Sequence, residues 1–167
     1  VELMTIGYEG RTLESFFAEL KAAGVQRIVD VRQMPLSRKK GFSKNALKEA
    51  AKARGIEYVH LVAFGCPKAV RDAYKSDGDW AQYTTSFLGY LADQDAAISE
   101  LVEMASREKC CLLCFEADPK TCHRLFVAER TAKKSRGKLA IRHLGFPAVT
   151  STVLSRYLKN CSHLSAS

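Results

Sequence analysis

The stretch Cys111–Lys134, CLLCFEADPKTCHRLFVAERTAKK, decides the fold. Its apolar run Cys111–Phe115 reads as a buried strand that stops at Glu116, with Asp118-Pro119 as a turn. Thr121 then reads as the N-cap of an amphipathic helix carrying Leu125, Val127 and Ala128, so the segment is one β-turn-α unit. The first N–H groups of such a helix lack intrahelical acceptors and carry partial positive charge, which suits the junction to an anion. Arg124 adds a full charge there.

The same unit recurs on either side. Met4–Gly7 reads as a strand, followed by Thr12 as an N-cap and a helix whose Leu13, Phe16, Phe17 and Leu20 share a face until Gly24. Arg27–Val31 is the next strand; a loop over Arg32–Phe42 leads to Ser43, the predicted cap of a helix through Leu47 and Ala51 to Gly55. Ile56–Leu61 makes a third strand, and Val62–Asp79, broken by Gly65, Pro67 and Gly78, reads as a long loop or short helical turns. Helices follow over Asp79–Leu91 and Asp95–Glu108, and the aromatic residues Trp80, Tyr83, Phe87 and Tyr90 have the spacing of a core face rather than of a base-stacking platform. Beyond Lys134, Ala140–Leu144 reads as a last strand, Ser151–Asn160 as a last helix, and residues 161–167 as a frayed tail.

Alternating strands and helices predict an α/β fold. One domain over residues 1–160 is expected, with a mostly parallel sheet of about five strands and helices on both faces. The size and composition agree, since 167 residues that are 47% hydrophobic and 26% charged can bury one core. No apolar run approaches the ~18 residues of a membrane span, and the opening VELMTIGYEG lacks the features of a signal peptide, so a cytoplasmic protein is expected with no membrane partner. Six cysteines in such a chain read as reduced thiols, without a disulfide framework. The formal net charge of +8 points to an anionic partner, a small molecule or nucleic acid.

Ligands of parallel sheets gather at the strand C-termini, which brings Tyr8, Glu9, Asp30, Arg32, His60 and the Cys114–Arg124 loop into one expected neighbourhood. Cys122, beside His123 and Arg124 in what reads as the first helical turn, is a candidate nucleophile, because cationic neighbours and a helix start favour the thiolate. Cys114 at the strand end is the alternative, and His123 or Glu116 can carry the proton. Asp30 and Arg32 lie two residues apart on one side of their strand; the pair either closes the loop internally or orients Arg32 toward an anion. Arg38, Lys39, Lys40 and Lys44 add a basic loop ahead of a helix. Ligand binding is therefore assigned to Tyr8, Asp30, Arg32, Arg38 and Arg124. Cys111 and Cys114 fall on opposite faces of their strand and cannot easily grip one ion, so neither a metal nor any other cofactor is expected. Cys66, one residue short of a phosphatase-like spacing to Arg71, reads as incidental.

Thr5–Arg11 (TIGYEGR), Val29–Arg32 (VDVR), Pro35–Phe42 (PLSRKKGF), Ile56–Leu61 (IEYVHL) and Leu112–Arg124 (LLCFEADPKTCHR) together resemble the bacterial and archaeal family catalogued as domain of unknown function 488. The resemblance implies a single α/β domain and marks Tyr8, Arg32, Arg38, Cys114, Glu116, Cys122, His123 and Arg124 as the positions to test; it implies no reaction. From the residues themselves, the leading expectation is a cysteine-dependent transferase or hydrolase acting on an anionic, phosphate-containing substrate. Two alternatives stand beside it: a basic nucleic-acid-binding module using Arg38, Lys39, Lys40, Lys133, Lys134 and Arg136, and a metal or redox sensor.

Overall fold

Five short strands take up the apolar runs of the sequence: β1 Glu2–Gly7, β2 Arg27–Asp30, β3 Glu57–His60, β4 Cys110–Cys114 and β5 Ala140–His143. Six helices separate them: α1 Leu13–Ala22, α2 Lys44–Lys52, α3 Lys68–Asp77, α4 Trp80–Ala92, α5 Asp95–Arg107 and α6 Arg124–Lys134. These elements come from a computed structural model that describes residues 1–145. The helix expected over Ser151–Asn160 and the tail 161–167 lie outside the described residues. No helix among those described is long and apolar enough to cross a membrane.

The strands form one parallel sheet in the order β3-β2-β4-β1-β5. Side-chain alternation distributes the core over its two faces. Met4 and Ile6 of β1, Ile28 of β2 and Cys111 and Leu113 of β4 meet Phe16, Phe17 and Leu20 of α1 and Leu47 and Ala51 of α2. Val29, Leu112 and Cys114 point the other way, toward Tyr83 and Phe87 of α4, Ile98 and Leu101 of α5 and Val127 and Ala128 of α6. Helices thus cover both faces, as the alternation of elements predicts.

Local signals account for most element boundaries. Thr12 caps α1 in a reciprocal box, the Ser15 N–H donating to Thr12 Oγ1 at 3.1 Å and the Thr12 N–H to Ser15 Oγ at 3.0 Å. Asp79 caps α4 through the Gln82 N–H at 3.0 Å. Three expectations need correction. Ser43 precedes α2, but its hydroxyl binds the backbone of Ser37 and ties down the preceding loop. The segment Val62–Asp79 contains a full ten-residue helix, α3, whose Val70 and Tyr74 pack against the α4 side of the core; its strongly polar sequence hid that helical face. Thr121 does not cap α6. Its hydroxyl donates to Asp118 O inside a 3₁₀ turn over Pro119–Thr121, Cys122 stays extended, and the helix begins at Arg124.

Two exits of the sheet diverge at its centre. From β2 the chain moves outward to β3 through α2 on one face, whereas from β4 it moves outward to β5 through α6 on the other. The C-terminal ends of β2 and β4 therefore lie where the connections part to opposite faces, the position at which parallel sheets commonly bind ligands. Gly7 lets the loop after β4 cross this edge, since a Cβ at that position would lie 1.8 Å from the Glu116 carbonyl oxygen.

Candidate functional site

At the end of β4, Cys114 faces the α6 side of the sheet, and the chain turns back through Pro119–Thr121 to bring Cys122 and His123 against it. The two sulfurs and a His123 ring nitrogen all lie within 4.8 Å of one another, and Cys114 Sγ is 3.9 Å from Nδ1. The imidazole orientation is set from β2: Nε2–H donates to the Val31 carbonyl at 2.9 Å, which turns Nδ1 toward the thiols. Phe87 of α4 contacts the ring edge-on at 5.2 Å. Glu116, half-buried, closes the group by accepting from the Cys114 thiol at 3.3 Å. Cys122 is 1% exposed, Cys114 4% and His123 6%, so only a small reagent reaches the sulfurs without movement of the loop.

Burial would push the Cys122 thiol up, but hydrogen bonding from Cys114 and His123 and the positive charges of His123 and Arg124 reverse this and hold it well below the ordinary cysteine range. Cys114 moves the opposite way, raised by its hydrogen bond to Cys122 and by burial. Burial would lower His123; its hydrogen bond to Cys122 and the negative charge of that sulfur raise it instead. Glu116 is pushed up to about 7 by burial and by the negative charge of Cys122. Four adjacent groups thus shift one another's proton affinity: the Cys122 thiol goes down, the Cys114 thiol and the His123 imidazole go up, and the Glu116 carboxyl group rises to about 7. The donor set Cys114, Cys122 and His123 could also hold one soft metal ion, being two sulfurs and a nitrogen at compatible separations. This cluster uses Cys114 with Cys122, not the Cys111-x2-Cys114 spacing; Cys111 lies on the other face of the sheet, as the alternation predicts.

Arg124 is 1% exposed and braces the site. Its guanidinium donates to the carbonyls of Glu116 and Ala117 and, at 3.4 Å, to Thr5 Oγ1, tying the loop after β4 to β1. Glu9 helps by accepting from the Ala117 N–H at 2.8 Å.

Tyr8, Asp30 and Arg32 lie on the other face. Arg32 forms a two-pronged ion pair with Asp30, with Nε–Oδ1 at 2.9 Å and Nη2–Oδ2 at 2.5 Å, and its Nη1 donates to Phe42 O at 2.8 Å and Tyr8 O–H at 3.3 Å. Tyr58 O–H donates to Asp30 Oδ2 at 2.6 Å, and Tyr8 stacks on Phe42. Both charges are buried inside this network. Arg38 is exposed on the loop that follows, and His60 Nε2 meets the Arg32 carbonyl at 2.7 Å. The single neighbourhood expected at the strand ends therefore divides into two. Cys114, Glu116, Cys122, His123 and Arg124 gather on the α6 side, and Tyr8, Asp30 and Arg32 on the α2 side.

Comparison with known families matches residues 12–131, most of the chain, to the family described as Domain of unknown function DUF488. The chain belongs to that family. No curated protein and no solved structure matches it.

In this DUF488 chain the site also contains residues that sequence reasoning left aside. Cys66, read as incidental, is buried in the same core cluster as Cys114 and Cys122, its thiol raised by burial despite a hydrogen bond to Tyr83 and a nearby Arg71. Arg71 donates to the Cys66 carbonyl at 3.2 Å and to Gln33 Oε1 at 2.6 Å, joining the start of α3 to the loop after β2. Phe87 walls the imidazole, and its helical spacing marked it only as core. The Val31 carbonyl, which orients His123, belongs to a backbone group and leaves no mark in a sequence.

Proposed function

We propose that this protein is a thiolate-dependent enzyme of the group-transfer or hydrolase type, with Cys122 as nucleophile and His123 as its counter-ion and proton donor. The observation that carries this reading is the convergence of Cys114 Sγ, Cys122 Sγ and a His123 ring nitrogen within 4.8 Å at the C-terminal edge of the sheet, with the ring held by Val31. An oriented base beside a cysteine is the arrangement that generates a nucleophilic thiolate. Glu116 and Cys114 hold the second proton, and a carboxyl group titrating near 7 is suited to general acid–base work at neutral pH. The electrostatic support for a small anionic substrate comes from the helix start at Arg124 and from the basic loop and helix start carrying Arg38, Lys39, Lys40 and Lys44 at the same edge of the sheet.

The nucleic-acid reading has less support. It needs Arg38–Lys40 and Lys133–Arg136 on one surface, yet α6 runs from the C-terminal edge of the sheet to the opposite edge, which separates the two segments by the length of the helix. Lys134 is also paired with Asp95.

The test is a pH titration of thiolate absorbance near 240 nm, wild type against Cys122→Ser. This measurement does not depend on reagent access. A transition in the wild type well below the free-cysteine value of ~8.5 and missing from the variant supports the proposal. Superimposable curves rule out Cys122 as the thiolate.

A further inference from the structure

We infer that Cys114 is the resolving thiol for Cys122, so that the cluster reduces a small hydroperoxide and closes a Cys114–Cys122 disulfide. This rests on the reading of Cys122 as the reactive sulfur and adds a second activity to it. Among the described cysteines, Cys114 is the one grouped with Cys122 and a histidine nitrogen within 4.8 Å. Cys111 is on the opposite face, and Cys110 sits at the start of β4, four residues from the site. The burial that excludes large reagents favours a small oxidant, and hydrogen peroxide, with only two heavy atoms, is the smallest hydroperoxide.

Each group in the cluster has a place in the reaction. The Cys122 thiolate attacks the terminal oxygen of ROOH and breaks the O–O bond; the departing alkoxide takes a proton from the His123 imidazolium, giving ROH, Cys122 sulfenic acid and neutral His123. Cys114 then transfers its proton to Glu116, whose Oε2 is 3.3 Å from the sulfur. The Cys114 thiolate attacks Cys122 Sγ, the S–O bond breaks, and the hydroxide leaves with the proton held by Glu116 as water. Two sulfurs are oxidised by two electrons in total, and the peroxide oxygens appear in ROH and H2O. A low-molecular-weight thiol or dithiol returns the pair to its reduced form by exchange through a mixed disulfide. The separation of roles follows from position: Cys122 directly precedes His123 and Arg124, whereas the Cys114 thiol donates to the Glu116 carboxylate at 3.3 Å.

The experiment treats reduced protein, first freed of metal with a chelator, with stoichiometric hydrogen peroxide and reads it by intact mass and tryptic mapping. The expected product has lost two hydrogens, links the peptide Cys110–Lys120 to Thr121–Arg124 through Cys114 and Cys122, and reverts with dithiothreitol. Cys114→Ser is expected to stop at a sulfenic acid on Cys122 that dimedone captures, and Glu116→Gln to slow disulfide closure by roughly tenfold or more relative to sulfenic acid formation measured in the same variant. Accumulation of sulfinic acid on Cys122 without a linked peptide, or linkage of Cys122 to Cys66, overturns the resolving role while leaving the thiolate reading intact. If Cys122 neither reacts with peroxide nor titrates low at 240 nm, both readings fall.

Discussion

Two charged clusters occupy the same edge of one sheet, on opposite faces, and they are built on opposite principles. On the α2 side, Asp30 and Arg32 are both buried and satisfy one another in a fork, with Tyr8, Tyr58 and the Phe42 carbonyl taking up further hydrogen-bonding capacity. On the α6 side, Cys122, His123 and Cys114 are also buried and Glu116 half-buried, but there each group shifts the proton affinity of its neighbours, Cys122 downward and Cys114, His123 and Glu116 upward. The first arrangement favours one charge state and holds a loop; the second couples the proton affinities of its members. Burial alone does not distinguish structure from chemistry at a strand end. The distinction lies in whether each group has a partner with a fixed complementary charge or one whose own proton affinity it shifts.

The comparison can be broken most directly at Arg32. Arg32→Ala strands the Asp30 carboxylate without its cation and is expected to destabilise the fold by about 3–5 kcal/mol in urea melts. In the material that remains folded, the Cys122 titration should be unchanged. A shifted thiol would mean that the two faces are coupled through β2.

His123→Gln is the corresponding change on the α6 side. The thiolate midpoint of Cys122 should rise by about 1–3 pH units as the imidazolium is removed, read by absorbance near 240 nm, at a smaller cost in stability than Arg32→Ala. A midpoint that does not move would assign the low value to Arg124 and the helix start.

Glu116 sharpens the contrast through pH. Its carboxyl group binds a proton more tightly in the folded protein, at about 7 against an ordinary 4.5. Between those values the folded state holds more protons than the unfolded one, so this group's contribution to stability falls as pH rises. Relative to Glu116→Gln, the wild type should therefore lose stability from about pH 4.5 to 7 and change little above that. Parallel stability curves for the two proteins would show that the carboxyl group titrates normally.

The smallest effect is expected at Arg38, exposed on the loop between β2 and α2. Arg38→Ala should change stability by less than about 0.5 kcal/mol and leave the thiol titration alone. If Arg38 attracts the substrate, the salt dependence of turnover should weaken in the variant, and an identical salt profile would remove it from the site.

Much of this architecture was legible before any coordinates. The apolar runs around Ile6, Ile28, Val59 and Leu112 mark strands, and Thr12, Gly24, Gly55 and Asp79 mark helix boundaries, because capping and hydrophobic periodicity are short-range effects carried by neighbouring residues. That Cys114, Glu116, Cys122, His123 and Arg124 crowd one short loop was legible too, because they are close neighbours along the chain. The helix α3 was not, since only partial burial of Val70 and Tyr74 on its polar surface supports it.

Residue identity along the chain determined the α/β class, the family motifs and which side chains have useful chemistry. The tertiary structure alone decided that β4 lies between β1 and β2, that Cys114 and Cys122 meet across a turn while Cys111 faces away, and that the Val31 carbonyl orients His123 from another strand. It also separated Arg32 from the thiols by the thickness of the sheet. Strand order and the faces of neighbouring strands are settled by long-range packing of helices on both sides, and such contacts have no local pattern from which they can be read.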